Sequence, residues 1–260
     1  MSTSKELRSD IAWSTADRVV VKGFDLAKDL LGQINLGDMA FIEIFDRLPT
    51  SDESVMLNAL LVSFVEHGLT PSALVTRLTY LGAPESFQAA IAAGILGLGT
   101  VFVGTVEGSA RMLQEALEGV PSEEPLDTIA KEIVARHRQA NQKIPGIGHP
   151  IHKPIDPRAE RLLEIATDCG FSGRYVQLMW LVSRVASEHY SKTLPVNVTG
   201  AIGAIASEMA IPWNVCRGLG VIARSVGLIG HIREEMGQPI AREIWFRTEA
   251  EATRHLRPDL

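Results

Sequence analysis

The stretch 145–159 combines residue types whose spacing suits acid–base and anion-binding chemistry. It places His149 on a glycine-rich turn and then leads through several prolines to Arg158. Glycine lets a ligand approach the backbone closely, and proline fixes φ and opposes helix formation. A stiff loop carrying one imidazole and one guanidinium suits a site that binds an oxygen-rich anion and moves a proton on it. The alternative is an ordinary turn between helices, since both residue types are common in turns.

A second histidine, His67, lies where the helical pattern breaks. Apolar residues recur at helical spacing before it, Gly68 is typical of a helix end, and Thr70-Pro71 is typical of the next helix start. An imidazole at a helix C-terminus favours the protonated form, which binds carboxylates. The alternative is a histidine that only caps the helix.

Helical periodicity dominates the rest of the chain, and we predict an all-α protein. Extended segments are few, and the best of them, 18–22, alternates over too short a length to build a sheet. The uncharged stretch 89–106 approaches membrane-span length, but its glycines predict a buried helix that packs closely through small residues. Further helices are predicted over 126–142, 157–169, 173–190, 200–209 and 213–236.

Composition narrows the class of protein. With 260 residues, 46% of them hydrophobic, the chain has enough apolar residues for a globular core. Its net charge of −6 and lack of a basic run argue against a nucleic-acid partner, and we predict neither a membrane nor a metal. The isolated Cys169 and Cys216 are predicted to be buried and unreactive. Without a signal-peptide pattern, we expect a cytoplasmic protein.

Several short segments occur in a fixed order over nearly the whole chain. They are Lys22-Gly-Phe-Asp25, Leu48-Pro-Thr50, Glu66-His67-Gly68, Pro145-Gly-Ile-Gly-His149, Asp156-Pro-Arg158, Pro195-Val-Asn-Val-Thr-Gly200 and Ala223-Arg224-Ser-Val-Gly-Leu-Ile-Gly-His231. In sequence and in order, these segments resemble the motifs of the citrate synthase superfamily. The lyase branch, meaning citryl-CoA lyases and the lyase module of ATP-citrate lyase, is the more similar: Phe102 stands where synthases have a histidine, and residues 198–202 follow the lyase pattern V-D-G-x-I.

The resemblance implies a particular architecture. We expect a large helical domain from residues 1–103 and 211–260, and a smaller inserted helical domain, 104–210, that closes over a cleft. The family also implies a homodimer, or a higher homo-oligomer, with sites at the subunit interface.

By the same resemblance, the expected activity is cleavage of citryl-CoA, or of a related 3-hydroxyacyl-CoA, to acetyl-CoA and an oxo-acid such as oxaloacetate. The partners are then a di- or tricarboxylate and an acyl-CoA, with coenzyme A as part of substrate and product. The implied catalytic residues are His149, His67 and Thr199. The implied substrate-binding residues are His67, Arg158, Arg224, Arg242 (across the interface) and Phe102. The implied coenzyme A contacts are Pro145, Gly146, Ile147, Gly148 and Lys153.

One departure from the family pattern bears on catalysis. Thr199 stands where the family has the aspartate that handles the proton on the acetyl carbon. A threonine hydroxyl does not act as a carboxylate acid or base near neutral pH. Three alternatives therefore stay open: a citrate-synthase-like acyltransferase, an acyl-CoA hydrolase, or an inactive homologue that binds coenzyme A and dicarboxylates.

Overall fold

The computed structural model describes residues 6–148 and 154–256, and within them the chain forms eleven α-helices and three short strands. The all-α prediction is confirmed. The strands are β1 Ala12–Ser14, β2 Val19–Val21 and β3 Phe24–Asp25, followed by one π-helical turn, Leu26–Leu30. The helices are α1 Leu36–Phe45, α2 Ser51–Val65, α3 Pro71–Gly82, α4 Phe87–Leu96, α5 Gly104–Leu117, α6 Leu126–Gln139, α7 Pro157–Asp168, α8 Arg174–Tyr190, α9 Val198–Glu208, α10 Cys216–Gly237 and α11 Ala241–Ala252.

The predicted break at His67 is confirmed. Helix α2 ends at Val65 because Glu66 is extended, and Gly68 then takes a φ of +72°. That left-handed conformation favours glycine, which turns the chain sharply. Thr70 precedes α3, and Pro71 occupies its first turn, where the missing N–H costs nothing. His67 therefore lies in a tight turn between two helices.

The strands form a three-stranded antiparallel sheet, so the expectation that 18–22 would build none was wrong. Lys22 and Gly23 join β2 to β3, with φ values of 50° and 89°. Two consecutive positive φ angles match the tight hairpin turn whose twist suits paired strands. The tight turn therefore helps the short strands β2 and β3 to pair.

The prediction of one buried helix over 89–106 was also wrong in part. Helix α4 ends at Leu96, α5 begins only at Gly104, and Leu96 is 86% exposed. The close packing itself is present: a Cβ at Gly94 would lie 2.1 Å from the Thr76 hydroxyl on α3. Helix α4 thus packs tightly on one side and leaves another side open.

The main hydrophobic core is one cluster of buried apolar side chains, whose members lie between Phe41 and Ala223 in the sequence. Helices α2, α3, α4 and α10 pack together, α5, α6, α7, α8 and α9 form a second group, and α2–α7 and α5–α10 contacts link the groups. The division into 1–103 with 211–260 and 104–210 stays a prediction. Cys216 is buried as expected, but Cys169 is only partly buried because it lies at the end of α7.

Candidate active site

Five of the predicted site residues line a single cavity of about 230 Å³, which we call the arginine cavity. They come from four helix termini or turns and from the middle of α10, brought together by the packing of α2 on α7 and α10 and of α7 on α9. The five are His67, Phe102, Arg158, Thr199 and Arg224.

Arg158 is held in place by a carboxylate two residues earlier in the chain. The fully buried Asp156 begins α7 and accepts hydrogen bonds from the Arg158 backbone N–H (3.1 Å), from its Nε (3.1 Å) and from its Nη2 (3.0 Å). Asp156 also accepts the Val198 N–H at 3.0 Å, which ties α7 to α9. Burial alone would raise the pKa of Asp156, but the hydrogen bonds from Arg158 and Val198 outweigh it and lower the pKa.

This arrangement predicts a pH-dependent cost for Asp156→Asn. The amide cannot accept from all of these donors at once, so we expect a loss of about 2–4 kcal/mol of unfolding free energy at pH 7. Because the folded pKa lies below the unfolded value, the stabilisation exists above about pH 4 and is lost as pH falls through the folded pKa. Urea unfolding at pH 7 and at pH 3 measures this.

Asp168→Asn, at the exposed opposite end of α7, is the matched control. It should change stability by less than about 0.5 kcal/mol at either pH. A variant Asp156→Asn that unfolds with the wild-type midpoint at pH 7 would contradict the positioning role of Asp156.

Arg224 is the most unusual side chain of the cavity. Its side chain is only 11% exposed, and among the described residues the buried Nε and Nη1 have no hydrogen-bond partner. The carboxylate of Glu66 lies nearby, with Oε1 4.0 Å from Nη1. Burial lowers the pKa of Arg224, against the opposing charge of Glu66. A cation held this way favours an anionic ligand.

Thr199 lies at the start of α9, between two cavities. The Asn197 side chain begins the helix by accepting from the Thr199 and Gly200 N–H groups at 3.0 and 3.1 Å. The Thr199 hydroxyl also donates to Asn197 Oδ1, at 2.7 Å. Its proton is therefore committed to Asn197, while its side chain borders both the arginine cavity and a second, larger one.

The second cavity, which we call the large cavity, has a volume of about 800 Å³. Pro145, Gly146 and Ile147 form part of its wall, and four basic side chains line it: His137, Arg138, Lys143 and Lys192. A cavity lined by basic side chains suits ligands that carry phosphates.

The glycine loop is fixed against α9 by close backbone contact. Gly146 has a φ of +88°, and a Cβ at Gly200 would lie 2.1 Å from the Gly146 carbonyl oxygen. Gly148 donates to the Pro195 carbonyl at 2.7 Å and accepts from Asn197 Nδ2, also at 2.7 Å. Only glycine fits at these two contact points, so the loop and the start of α9 form one rigid wall.

Comparison with known proteins places the chain in a family. The family described as "Citrate synthase, C-terminal domain" matches residues 25–245. The chain belongs to the citrate synthase family. The predicted resemblance is thereby confirmed.

Individual relatives agree with this assignment. The structure of citryl-CoA lyase from Hydrogenobacter thermophilus superposes with a TM-score of 0.81 and 31% identity, over 90% of this chain and 88% of that one. ATP citrate lyase from Methanothrix soehngenii, in complex with citrate and coenzyme A, superposes with a TM-score of 0.75 at 20% identity, over 91% of this chain and 40% of that one. This second similarity shows the fold alone.

Curated sequences point the same way. A probable ATP-citrate synthase from Dictyostelium discoideum is 24% identical over 243 residues, covering 87% of this chain and 38% of the relative. ATP-citrate synthase subunit 1 from Sordaria macrospora is 25% identical over 244 residues, covering 87% of this chain and 35% of the relative. The chain thus spans less than two fifths of the curated relatives it matches.

Some predicted site residues of this citrate synthase family member lie elsewhere. Arg242 is on the exposed surface of α11 and is absent from the lining of either cavity among the described residues. His149 and Lys153 fall in 149–153, outside the described residues. Their assigned roles stay predictions.

Sequence reasoning missed residues that hold the site together. The motif Asp156-Pro-Arg158 was read for its arginine, although Asp156 begins the helix and fixes the guanidinium. Glu66, also overlooked, accepts the backbone N–H groups of His67 and Gly68. The signal was present in both cases, since an acidic residue directly before a helix or a turn is a typical acceptor for backbone N–H groups.

The described residues show neither a candidate membrane span nor a candidate metal site. None of the helices in 6–148 and 154–256 is both long and apolar enough to cross a bilayer. The same residues contain no cluster of three or more His, Cys, Asp or Glu side chains arranged to bind a metal ion.

Proposed function

We propose that this chain cleaves citryl-CoA, or a related 3-hydroxyacyl-CoA, to acetyl-CoA and an oxo-acid such as oxaloacetate. The observation that carries the proposal is the buried Arg224 guanidinium, without a hydrogen bond at Nε or Nη1 among the described residues, in the same cavity as Arg158. Leaving a buried charge unpaired costs several kcal/mol, which a bound carboxylate offsets. The similarity to the Hydrogenobacter citryl-CoA lyase supports this reaction class.

The chemistry requires two proton transfers. A base takes the tertiary hydroxyl proton, the C2–C3 bond breaks as the ketone of the oxo-acid forms, and the released electron pair becomes the enolate of acetyl-CoA. An acid then protonates that carbon. Each positioned proton transfer contributes about 10²–10⁴-fold.

We assign the carboxylates of the substrate to Arg158 and Arg224, whose forked donors match them. The exposed His67, at the wall of the same cavity, is assigned as a further ligand. His149 directly follows Gly148 in the sequence, at the glycine loop, and is our candidate for exchanging the hydroxyl proton.

We assign coenzyme A to the large cavity. Its volume of about 800 Å³ and its four basic lining residues suit a long ligand with several phosphates. The thioester would then reach the oxyacid at Thr199, which borders both cavities. The Methanothrix protein, which shares the fold, is described in complex with both citrate and coenzyme A.

A second candidate is a homologue that binds these ligands without turnover. It is favoured by Thr199, whose hydroxyl proton is donated to Asn197 and which supplies no carboxylate. Binding and turnover are therefore to be measured separately.

The test is to incubate the purified protein with citryl-CoA and follow oxaloacetate with a coupled dehydrogenase. We expect oxaloacetate to form faster than in the buffer blank, and Arg158→Gln to abolish this, whereas Arg161→Gln, an exposed arginine on the same helix, leaves it unchanged. A rate equal to the blank removes citryl-CoA as substrate. Calorimetric binding of oxaloacetate or coenzyme A in that case supports the second candidate.

We also propose that the chain is a homodimer. Along α10, Ile222, Val226, Ile229 and Met236 are 40–51% exposed and recur at helical spacing. Trp245 and Phe246 on α11 are also exposed apolar side chains. A second copy is the occupant we propose for this face, and it would also bring its own Arg242 toward the site.

Ile229→Asp tests the homodimer. A carboxylate in the middle of an apolar interface is left desolvated, so we expect light scattering to show the mass of one chain instead of two. Val62→Asp replaces an exposed valine on α2 and should leave the dimer intact. A wild-type protein with the mass of a single chain would contradict the proposal.

A further inference from the structure

A buried arginine outside the arginine cavity connects to its wall. Arg77 on α3 has no exposed surface, and its Nε donates to His231 Nδ1 at 3.1 Å. Its Nη1 donates to Glu235 Oε2 at 2.8 Å, and its Nη2 forms a close ion pair with Glu234. Glu235 in turn accepts the first N–H groups of α11. Arg77 is therefore fixed from several sides.

The hydrogen-bond direction at His231 follows from its neighbour. The arginine guanidinium has donors only, so His231 Nδ1 must act as the acceptor. The imidazole proton then lies on Nε2, which is 3.1 Å from Glu66 Oε1 and donates to it. A continuous chain of donors thus runs from Arg77 through His231 to Glu66.

Glu66 connects His231 to the turn between α2 and α3 through hydrogen bonds. Its Oε1 accepts the His67 N–H at 2.8 Å and the Gly68 N–H at 2.7 Å, and lies 4.0 Å from Arg224 Nη1. Burial would raise the pKa of Glu66, but the backbone N–H groups and His231 lower it, which keeps the carboxylate charged. One oxygen therefore serves the turn, the imidazole and the nearby cation together.

The turn is also pressed directly onto α10. A Cβ at Gly227 would lie 2.0 Å from the Val65 carbonyl oxygen and 3.0 Å from Glu66 Oε2. The end of α2 therefore cannot move toward α10, and His231, one turn further along that helix, meets Glu66 at a fixed distance.

We propose that His231, held by Arg77, is a positioning residue that orients Glu66, and that Glu66 thereby fixes the His67–Gly68 turn at the wall of the arginine cavity. The functional part of this inference rests on the proposed oxyacid site. His231 lies outside the lining of the arginine cavity, so its effect on the ligand passes through Glu66 and the turn.

Hydrogen exchange followed by mass spectrometry tests the structural part without any ligand. We expect His231→Leu to increase exchange at residues 66–69, because the carboxylate loses its donor and the two amides lose a fixed acceptor. His231→Gln keeps an N–H for Glu66 and should restore most of the protection. His189→Leu, an exposed histidine on α8, is the matched control.

Calorimetry tests the functional part on the same variants. We expect His231→Leu to weaken oxaloacetate binding about tenfold while coenzyme A binding changes less than about twofold, with His231→Gln near wild type. A merely structural role would lower both affinities together. If His231→Leu does not fold, His231→Asn is measured in its place, because asparagine keeps an acceptor for Arg77 but is too short to donate to Glu66, and it should give the same oxaloacetate-specific loss.

The outcomes separate the two claims. Unchanged exchange at 66–69 in His231→Leu, or in His231→Asn if the first does not fold, overturns the positioning role. Parallel losses for oxaloacetate and coenzyme A overturn it as well. A wild-type protein that binds no oxaloacetate defeats the proposed function instead, and the exchange comparison then decides the positioning role alone.

Discussion

Arg224→Leu should abolish oxyacid binding and leave the free protein as stable as the wild type or slightly more stable. The two effects have one cause. The Arg224 side chain is 11% exposed and, within the described chain, two of its guanidinium nitrogens have no hydrogen-bond partner, so burying this charge costs free energy in the ligand-free protein. Replacing a poorly paired buried charge with an apolar side chain is commonly neutral or stabilising.

The loss in binding should be large. Removing one partner of a buried, hydrogen-bonded charge pair costs about 2–5 kcal/mol, so we expect the oxaloacetate Kd to rise about 30-fold or more. Calorimetry measures the affinity, and urea unfolding of the ligand-free protein measures the stability.

Arg233→Leu is the matched control because Arg233 is an exposed arginine on the same helix. It should change neither affinity nor stability appreciably. If Arg224→Leu binds oxaloacetate like the wild type, or unfolds several kcal/mol more easily, Arg224 is a structural residue and the ligand assignment fails.

Thr199→Asp should raise citryl-CoA cleavage by about 10²–10⁴-fold, the contribution of one positioned acid–base group. Position 199 borders both cavities, so a carboxylate there reaches the junction at which we place the carbon that is protonated. The first turn of α9 also tolerates an acidic residue because the helix dipole favours negative charge there. The coupled oxaloacetate assay measures the change.

Thr199→Asn distinguishes proton transfer from shape. It matches aspartate in size but carries no titratable group, so it should not increase the rate. Equal rates for the two variants would show that the carboxylate does no chemistry. If Thr199→Asp abolishes a native activity, Thr199 contributes to a different substrate specificity. The interpretation that it lacks a needed acid–base group is then wrong.

The sequence predicted most of the helices and named five residues that line the arginine cavity, but it did not predict the hydrogen bonds that hold those residues in place. The turn at Gly146 and Gly148 and the break at His67 could be predicted from the sequence, because glycine and proline restrict or free the φ angle of their own residue. The small sheet was missed because Lys22 adopts a positive φ, which its residue type does not favour. The exposed side of α4 was not predicted because an apolar residue favours burial but is also common on protein surfaces.

Contacts between residues far apart in the sequence could not be predicted from local sequence patterns. Arg77 and His231 are 154 residues apart, and no periodicity marks a buried arginine that is paired by its neighbours. Asp156 and Glu66 act through backbone N–H groups, and only the folded chain reveals which N–H groups they meet. The resemblance to the family motifs pointed to the arginines of the arginine cavity, because such motifs reflect residues that lie together in folded proteins.

A crystal structure of the protein with oxaloacetate tests the central claim most directly. We predict the ligand in the arginine cavity, with its carboxylates within hydrogen-bond distance of the Arg158 and Arg224 guanidinium groups and with His67 beside it. Oxaloacetate bound elsewhere on the chain, or an arginine cavity that stays empty at saturating ligand, would contradict the account.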